Sequence, residues 1–561
     1  MRKSLNLSGK RTKFPNCFLF MESIVLCLFL YWIYDESHLG AIRFCFALGG
    51  KILDAIVEKI TQVNGTLNNF IWGLPGLVLL IGTGLLLTVC TKVFQVSHLK
   101  HWWQETIGSL FRKNSTSTKK TDKKSISQFQ ALCTALAATV GTGNIAGVAA
   151  AIVVGGPGAV FWMWIAAFLG MMTNYSENVL GIYYRRRNAN GEWSGGPMYY
   201  LKDGLGKKKG CRGVATVLAV LFACFAILAS FGIGNMGQVN KIVLNMESAF
   251  FSNVSWTVGN LNIINLCIGL ALLVIGALII IGGLQRIASV AERVVPIMAI
   301  SYIVFGIVAV GMNYEMILPA FASIFKFAFG IKAVAGGAAG VAIKQVVVQG
   351  CKRGVFSNEA GLGSSVMVHS SSNVKEPVRQ GMWGIFEVFF DTMIVCTMTA
   401  LIALTSGAID LNTGLAVEGV NDATLISHAF GSVFGKPGEW FIATAMLLFA
   451  FTTVLGWSQY GSKAVEYLFG EKGVKVYKVI FVLMILSGAL MTSSLAWDIS
   501  DTFNGFMMVP NLIGVVSLFP LVMRITKNYV DRNIRKKNVT PVLSYDEGIE
   551  AEIAETLIQE A

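Results

Sequence analysis

Residues Gln130 to Gly147 read QALCTALAATVGTGNIAG, a run of small and apolar residues interrupted by Gly141-Thr142-Gly143-Asn144. The first part of the run is typical of a closely packed membrane helix. Two glycines and two polar side chains then occupy the depth at which hydrocarbon should surround the backbone. Unpaired backbone groups cost several kcal/mol in a bilayer, so such an interruption persists only where it lines a cavity or is buried in protein. The stretch therefore predicts a helix broken inside the membrane, with a functional cavity at the break.

Two other interpretations of this stretch are weaker. Gly141, Gly143 and Ala146 have the spacing of a dinucleotide-binding fingerprint, but helix-forming residues precede them and the next acidic residue is Glu177. Small residues four positions apart also let membrane helices pack closely. Packing explains part of the pattern, but it does not explain an asparagine beside the glycines.

The composition is that of a polytopic membrane protein. Of the 561 residues 54% are hydrophobic and 14% are charged, and the mean hydropathy is +0.61. The formal charge of +13 lies mostly in short loops between apolar segments, where it signals topology and not a nucleic-acid partner. The ten cysteines form no C-x-x-C pair, so neither a disulfide framework nor a zinc site is predicted.

Eleven apolar segments have about the twenty residues needed to cross a bilayer. They lie near 67–91, 126–154, 159–183, 213–237, 261–283, 294–312, 336–371, 380–405, 439–463, 476–497 and 503–523. These segments define a transmembrane domain at 66–525, which is all-α and polytopic. A polar tail follows at 526–561 and is expected to be solvated from Arg532 onward.

An N-terminal extension occupies residues 1–65. Residues 14–34 are largely apolar, with Glu22 as the only charge, and predict an additional membrane helix. A signal-like segment is the alternative, and Met21 as the true start is another. Residues 38–62 are amphipathic and are expected to lie at the membrane interface.

The distribution of Lys and Arg predicts the orientation. The loops at 92–124, 184–213 and 372–380 are richer in these residues than the loop at 406–438. The positive-inside rule then places the three basic loops and the C-terminal tail in the cytoplasm. The expected location is the cell membrane, plasma or inner.

Two blocks of nearly equal length, 126–312 and 336–523, each contain five predicted spans. Each block opens with a glycine-interrupted helix, and five spans per block force the second block to be inverted relative to the first. Paired interrupted helices at the start of two inverted halves indicate a secondary transporter with a binding site near the bilayer midplane.

The second interruption lies within Gly350–Ser364, GCKRGVFSNEAGLGS. Two bases and an acid inside a membrane span are expensive and usually functional. Phe356, Ser357 and Asn358 supply an aromatic ring and two polar groups. Together with the first interruption they predict a small polar pocket.

These motifs resemble the alanine/glycine:cation symporter family, the sodium:alanine symporters. The resemblance covers roughly 67–525 and is carried by ALAATVGTGNIAG (135–147), GGPGAVFWMW (155–164), GGPMYYL (195–201), FGIGNMGQ (231–238) and RGVFSNEAGLGS (353–364). It implies a LeuT-type fold of five plus five inverted helices with one added core helix. It also implies import of small neutral amino acids with sodium or protons.

A broken helix suits an amino-acid zwitterion, because its new N-terminus presents free N–H groups and its upstream half ends in free carbonyls. Thr142, Gly143 and Asn144 are therefore expected to bind the carboxylate. The resemblance adds further substrate-binding residues: Gln238, Phe356, Ser357 and Asn358. Trp457 is expected to cap the side-chain pocket, with a tryptophan of the interfacial belt as the alternative.

The same break is expected to free backbone carbonyls near Ala137 and Val140 for the co-transported sodium ion. In the LeuT-type arrangement the helix at 439–463 crosses this point, and it carries Thr452 and Thr453. With the Phe449 carbonyl these groups supply five oxygens. The alternative is that both threonine hydroxyls bond back to carbonyls of their own helix.

Three acidic residues inside the spans, Glu177, Glu387 and Asp391, are expected to form structural pairs; proton relay is the alternative. The sequence thus predicts a sodium symporter for a small neutral amino acid, alanine and possibly glycine, that needs no cofactor. Proton coupling and selectivity for D-alanine or glutamine stay open. A channel is a weaker candidate, as is a membrane-embedded hydrolase, because His369 lies about three helical turns beyond Asn358.

Overall fold

The computed structural model describes residues 43–112, 117–118, 124–252, 254, 256–258, 261–329, 339–420, 424–491 and 495–560. The chain divides into two compact units, Met1–Gln62 and Val63–Ala561. The predicted helix at 14–34 lies outside the described residues. The first described element is helix α1 (Arg43–Ile71).

The elements up to the middle of the chain are helical apart from two short hairpins. The helices are α2 (Leu74–Cys90), α3 (Phe94–Ser97), α4 (Leu99–Glu105), α5 (Ile107–Leu110), α6 (Gln128–Thr139), α7 (Val148–Gly155), α8 (Ala159–Tyr183), α9 (Pro197–Asp203), α10 (Arg212–Phe231), α11 (Gly237–Phe250), α12 (Ile263–Ile280), α13 (Leu284–Met312) and α14 (Ile317–Phe329). The antiparallel hairpins pair β1 (Arg186–Arg187) with β2 (Trp193–Ser194) and β3 (Thr257–Val258) with β4 (Leu261–Asn262).

The later elements are α15 (Ala339–Asn358), α16 (Val366–His369), α17 (Pro377–Val388), α18 (Thr397–Thr405), α19 (Leu425–Phe434), α20 (Lys436–Leu490), α21 (Leu495–Tyr529) and α22 (Glu547–Glu560). Helical turns of the wider π type link several of these elements, at Gly143–Gly147, Gly232–Met236, Phe389–Cys396 and Val530–Ile534. Turns of this type often occur at functional sites.

Among the described residues, seven helices are long and apolar enough to cross a membrane. The number is eight if α6 and the segment Gly143–Gly155, bent by 53° at the break between them, form one span. The protein is therefore an all-helical, polytopic membrane protein.

The sequence predicted eleven spans, and the difference has three physical causes. Two predicted segments, 439–463 and 476–497, begin on opposite sides of Gly470, where the backbone is not helical (φ 71°, ψ −173°), and the element α20 that includes both sides counts as one span. The segment at 159–183 is the helix α8, but polar residues such as Glu177 lower its hydropathy. The segment at 336–371 is interrupted after Asn358, and its helical part contains three basic residues.

Helix packing brings the two predicted interruptions together. The helix α20 contacts α6, α10, α11 and α13, and α8 contacts α15 and α17. The π-helical turn at Gly143–Gly147 contacts both α15 and the turn at Phe389–Cys396. The functional site can therefore be sought where α6, α15 and α20 meet.

The expectation of a solvated tail is wrong for the residues just beyond the last membrane helix. Arg532 donates two hydrogen bonds to the Glu376 carboxylate, at 2.8 and 2.9 Å. The Tyr545 N–H donates to the Tyr183 carbonyl at 2.9 Å, and Leu543 is buried. The tail therefore packs against the ends of the membrane helices.

Candidate functional site

The first helix break begins at Val140. Its backbone angles, φ −78° and ψ 85°, leave the helical region directly after α6. The Gly141 N–H consequently donates to Asn144 Oδ1 at 2.9 Å, and the Ala137 carbonyl loses the donor that a continuous helix would supply. The predicted break and the predicted release of a carbonyl at Ala137 are both present.

The side chain of Asp391 joins this break to the second one. Asn144 Nδ2 donates to Asp391 Oδ1 at 2.6 Å, and Ser357 Oγ donates to Asp391 Oδ2 at 2.8 Å. Thr392 Oγ1 also donates to Oδ2, at 2.8 Å. Asp391 is fully buried, so these charge-assisted bonds are shielded from water.

The second break is shorter than the stretch that predicted it. Gly350 to Asn358 is regular helix, and the chain leaves it at Glu359, which has a φ of 56°. Asn358 stabilises this exit, since its Oδ1 accepts from the Ala360 N–H at 3.0 Å and its Nδ2 donates to Thr392 Oγ1 at 3.0 Å.

A cavity with an empty volume of about 280 Å³, including space open to solvent, lies between the two breaks. Only about 20 Å³ of it admits the centre of a water molecule. Its walls are formed by Ala138, Thr139, Gly141, Gly143, Ile233, Gln238, Phe356, Glu359, Thr453, Trp457 and Asn504. The cavity is therefore narrow, and its lining contains no Lys or Arg.

Four of the eight predicted substrate residues line this cavity: Gly143, Gln238, Phe356 and Trp457. A Cβ placed on Gly143 would lie 3.3 Å from Phe356 Cδ1 and 3.4 Å from Ser357 Cα. The two breaks are thus in close contact, and a side chain at 143 would narrow the space further. Trp457 is 3% exposed and forms part of the cavity wall; that it caps the substrate side chain stays a prediction.

The other four predicted substrate residues do not line the cavity. The side chains of Asn144, Ser357 and Asn358 are engaged by the Asp391 and Thr392 network. The Thr142 N–H points to Gln238 Oε1 at 3.4 Å. Three of these side chains therefore take part in the contacts that hold the breaks together, and direct contact of the four residues with a substrate stays a prediction.

The predicted sodium residues lie around the first break. Thr453 lines the cavity, and a Cβ on Gly141 would overlap its hydroxyl. Both Thr452 Oγ1 and Thr453 Oγ1 donate to the Phe449 carbonyl at 3.0 Å. In the structure both hydroxyls therefore bond back to a carbonyl of their own helix, as the alternative interpretation expected. Thr453 nevertheless lies next to the first break.

The acidic residues inside the spans bond to neutral groups or to histidine. Glu177 Oε1 accepts from Asn511 Nδ2 at 2.5 Å, and Glu387 Oε2 lies 2.9 Å from His369 Nε2. Among the described residues none of Glu177, Glu387 and Asp391 forms a salt bridge with Lys or Arg. Pairing with Lys or Arg, the structural pairing that the sequence suggested, is therefore not seen in the described part of the chain, where the partners are amide, hydroxyl and imidazole groups. Glu177 Oε2 and Glu387 Oε1 have no hydrogen-bond partner there, and the roles of the three acids stay a prediction.

Several cavity residues were not predicted from the sequence. They include Ala138 and Thr139 at the end of α6, Ile233 in a π-helical turn, Glu359 after α15 and Asn504 on α21. The stretch FGIGNMGQ pointed to Gln238 and contains Ile233. Asn504 ends the polar stretch DISDTFN (498–504), in which nothing distinguishes it from its neighbours.

Comparison with known proteins gives a consistent picture. A profile of the sodium:alanine symporter family matches residues 57–544. The sodium/alanine symporter AgcS of Methanococcus maripaludis is 42% identical over 480 residues, 86% of this chain and 99% of the relative. The probable sodium/glutamine symporter GlnT of Bacillus subtilis is 36% identical over 491 residues, 87% of this chain and 94% of the relative. Among solved structures, MhsT in complex with L-phenylalanine aligns with a TM-score of 0.46 at 14% identity, over 72% of this chain and 99% of that chain.

The family match includes both breaks and every residue of the cavity. It confirms the resemblance inferred from the motifs, and with it the expectation that the protein is a transporter and not an enzyme. The family name implies sodium and an amino acid as substrates. The chain belongs to the sodium:alanine symporter family.

Proposed function

We propose that the protein imports a small neutral amino acid, alanine or glycine, together with sodium by alternating access. The observation that carries this proposal is the narrow cavity between two helix breaks. Its wall includes the start of the half-helix Gly143–Gly155, whose positive end suits a carboxylate. The aromatic rings of Phe356 and Trp457 leave little room for a long side chain.

The carboxylate of the substrate would bind at Gly143, because a residue without a Cβ lets the ligand approach the backbone. Gln238 stands beside this point, bonded to the Thr142 N–H. Asn144 supports the site indirectly, since it fixes the Gly141 N–H. In this proposal Gly143 contacts the substrate directly, and Thr142 and Asn144 support the site from behind Gly143.

Sodium would bind next to the same break, where Thr453 borders the cavity. The candidate ligands are the carbonyl oxygens of Ala137, Val140 and Phe449 and the hydroxyls of Thr452 and Thr453. In the structure both hydroxyls donate to the Phe449 carbonyl. Rotation of the Thr453 hydroxyl would turn its oxygen lone pairs to the ion, and the ion would offset the negative end of α6.

The proposal includes an architecture and an orientation. The spans between 126 and 312 and between 336 and 523 form two inverted repeats of five, with one added core helix. The basic loops and the C-terminal tail face the cytoplasm of the cell membrane. Inward transport then follows the sodium gradient.

Reconstitution into liposomes tests the proposal. Labelled alanine, glycine, D-alanine and glutamine are offered under a sodium gradient, a proton gradient and no gradient. Saturable alanine uptake that needs the sodium gradient is expected. Equal uptake on a proton gradient without sodium, or a preference for glutamine, would contradict the coupling or the substrate, and large ohmic currents would indicate a channel.

A further inference from the structure

We propose that Glu359, Thr139 and Asn504 form an acceptor wall that recognises the ammonium group of the substrate. This inference rests on the proposed function, because it presumes that the substrate is an amino acid. All three residues line the cavity, and they come from three separate elements: the end of α6, the second break and α21. Their side chains are 3%, 3% and 2% exposed for Thr139, Glu359 and Asn504, respectively.

The position of Glu359 is set by the second break. The residue has a φ of 56°, a left-handed conformation that side chains with a Cβ adopt only where the surroundings fix it. Its N–H donates to the Val355 carbonyl at 2.8 Å, and its carbonyl accepts from the Leu362 N–H at 3.1 Å. Ser364 Oγ donates to Glu359 Oε2 at 2.5 Å. The carboxylate is therefore held at the cavity wall.

No cation neutralises this carboxylate among the described residues. Their salt bridges do not include Glu359, and Lys and Arg are absent from the cavity lining. A carboxylate buried in a membrane protein is costly and ordinarily pairs with a positive group. Burial without a cation favours the uncharged form of Glu359, and a ligand that brings a positive charge would stabilise the ionised form.

Two further oxygens in the wall have unused acceptor capacity. Thr139 Oγ1 and Asn504 Oδ1 are buried and have no hydrogen-bond partner in the part of the chain that the structure describes. Buried polar atoms are nearly always hydrogen-bonded in native structures, so two unpartnered oxygens in one cavity wall are available to a ligand with N–H donors. An ammonium group carries three N–H donors, which equals the number of acceptor side chains in the wall.

The wall and the half-helix starting at Gly143 face the same space. One presents negative charge and free acceptors, and the other presents the positive end of a helix. An α-amino acid carries its ammonium and carboxylate on neighbouring atoms, so it satisfies both at once. A hydroxy acid such as lactate has the same carboxylate and methyl group but lacks the ammonium.

The test compares alanine with lactate at saturating sodium, using the full-length protein in liposomes and in detergent. The variants are Glu359→Gln, Glu359→Asp and Thr139→Val, and the matched control is Glu177→Gln. Glu177 is an equally buried carboxylate, but it bonds to Asn511 and does not line the cavity. Labelled alanine binding and uptake are measured with lactate as the competitor.

Glu359→Gln is expected to raise the KM for alanine at least 30-fold. In the same variant the sodium concentration for half-maximal uptake should change less than threefold. Thr139→Val should raise the KM about tenfold, Glu359→Asp should restore part of the affinity, and Glu177→Gln should stay within threefold of the parent. The preference for alanine over lactate should shrink in Glu359→Gln.

Two results would overturn the inference. If the wall variants weaken sodium activation but leave the KM for alanine unchanged, the wall binds sodium. If they lose alanine binding and lactate binding in parallel, the wall has a structural role. If Glu359→Gln does not fold, Thr139→Val gives the same comparison. Absence of sodium-dependent alanine uptake by the parent would instead refute the proposed function.

Discussion

Exchanging Asn144 and Asp391 tests whether their hydrogen bond holds the two helix breaks together. Asp391 Oδ1 faces Asn144 Nδ2 at 2.6 Å, while Oδ2 accepts from Ser357 and Thr392. In the double variant Asn144→Asp with Asp391→Asn, an amide at 391 can donate to a carboxylate at 144. Its oxygen can still accept from both hydroxyls, so every bond of the network has a counterpart.

The single variants have no such compensation. Asn144→Asp places two carboxylates at the distance of a hydrogen bond, where both cannot stay ionised. In Asp391→Asn the new NH₂ group faces the NH₂ group of Asn144, so that two donors oppose each other. If the new amide rotates instead, the Ser357 and Thr392 hydroxyls lose their acceptor. A hydrogen bond to a charged group contributes roughly 1.5–3 kcal/mol. A loss of about 2 kcal/mol corresponds to about a 30-fold fall in uptake efficiency.

The assay is the initial rate of labelled alanine uptake, normalised to the amount of reconstituted protein, with thermal unfolding in detergent as the parallel measure of stability. Each single variant should lose about 30-fold, and the double variant should return to within about threefold of the parent, as in a double-mutant cycle with strong coupling. If the two losses multiply in the double variant, the bond does not join the breaks and the reasoning fails.

The remaining predictions concern topology, the substrate site, the sodium site and the tail. Cysteines at the exposed positions Asn190 and Thr413 should differ in labelling by an impermeant maleimide in intact cells, with only Thr413→Cys labelled; the opposite pattern would invert the orientation. Gly143→Leu should abolish uptake but not membrane insertion, and near-normal alanine affinity would refute the site. Thr453→Ala should raise the sodium concentration for half-maximal uptake at least tenfold, about 1.4 kcal/mol, and unchanged sodium dependence would exclude this hydroxyl as a ligand. Arg532→Gln should lower the unfolding temperature and increase proteolysis of the tail, because the buried Glu376 carboxylate loses two hydrogen bonds; unchanged proteolysis would mean that other contacts hold the tail.

The first break could be predicted from the sequence because glycine, threonine and asparagine contradict the surrounding apolar pattern. The direction in which its side chains point could not. Asn144 was expected to face the substrate, yet its amide turns to Asp391, a residue 247 positions later in the chain. The Asn144 amide gains a hydrogen bond to the buried Asp391 carboxylate, which an empty cavity does not offer. The sequence does not show that Asn144 and Asp391 are neighbours, because only the packed fold brings them together.

The acceptor wall illustrates the same limit. Thr139, Glu359 and Asn504 belong to three elements separated by long stretches of sequence, and each is an ordinary polar residue in its own segment. Glu359 was quoted within a predicted motif, but the motif gave no reason to separate it from Ser357 and Asn358. The difference appears only at the backbone, where Asn358 ends the helix and Glu359 begins the break.

The network around Asp391 has a consequence for transport under the proposed function. A movement that stretches the bond to Asn144 or to Ser357 leaves a buried charged group short of a donor, which costs roughly 1–3 kcal/mol or more. The two breaks therefore move most easily as one body. Thr453 and the Phe449 carbonyl belong to α20, outside this body, and the Ala137 carbonyl belongs to α6, directly before the first break. A sodium ion bound between them would link the moving breaks to α20, so its binding energy would act directly on their relative position.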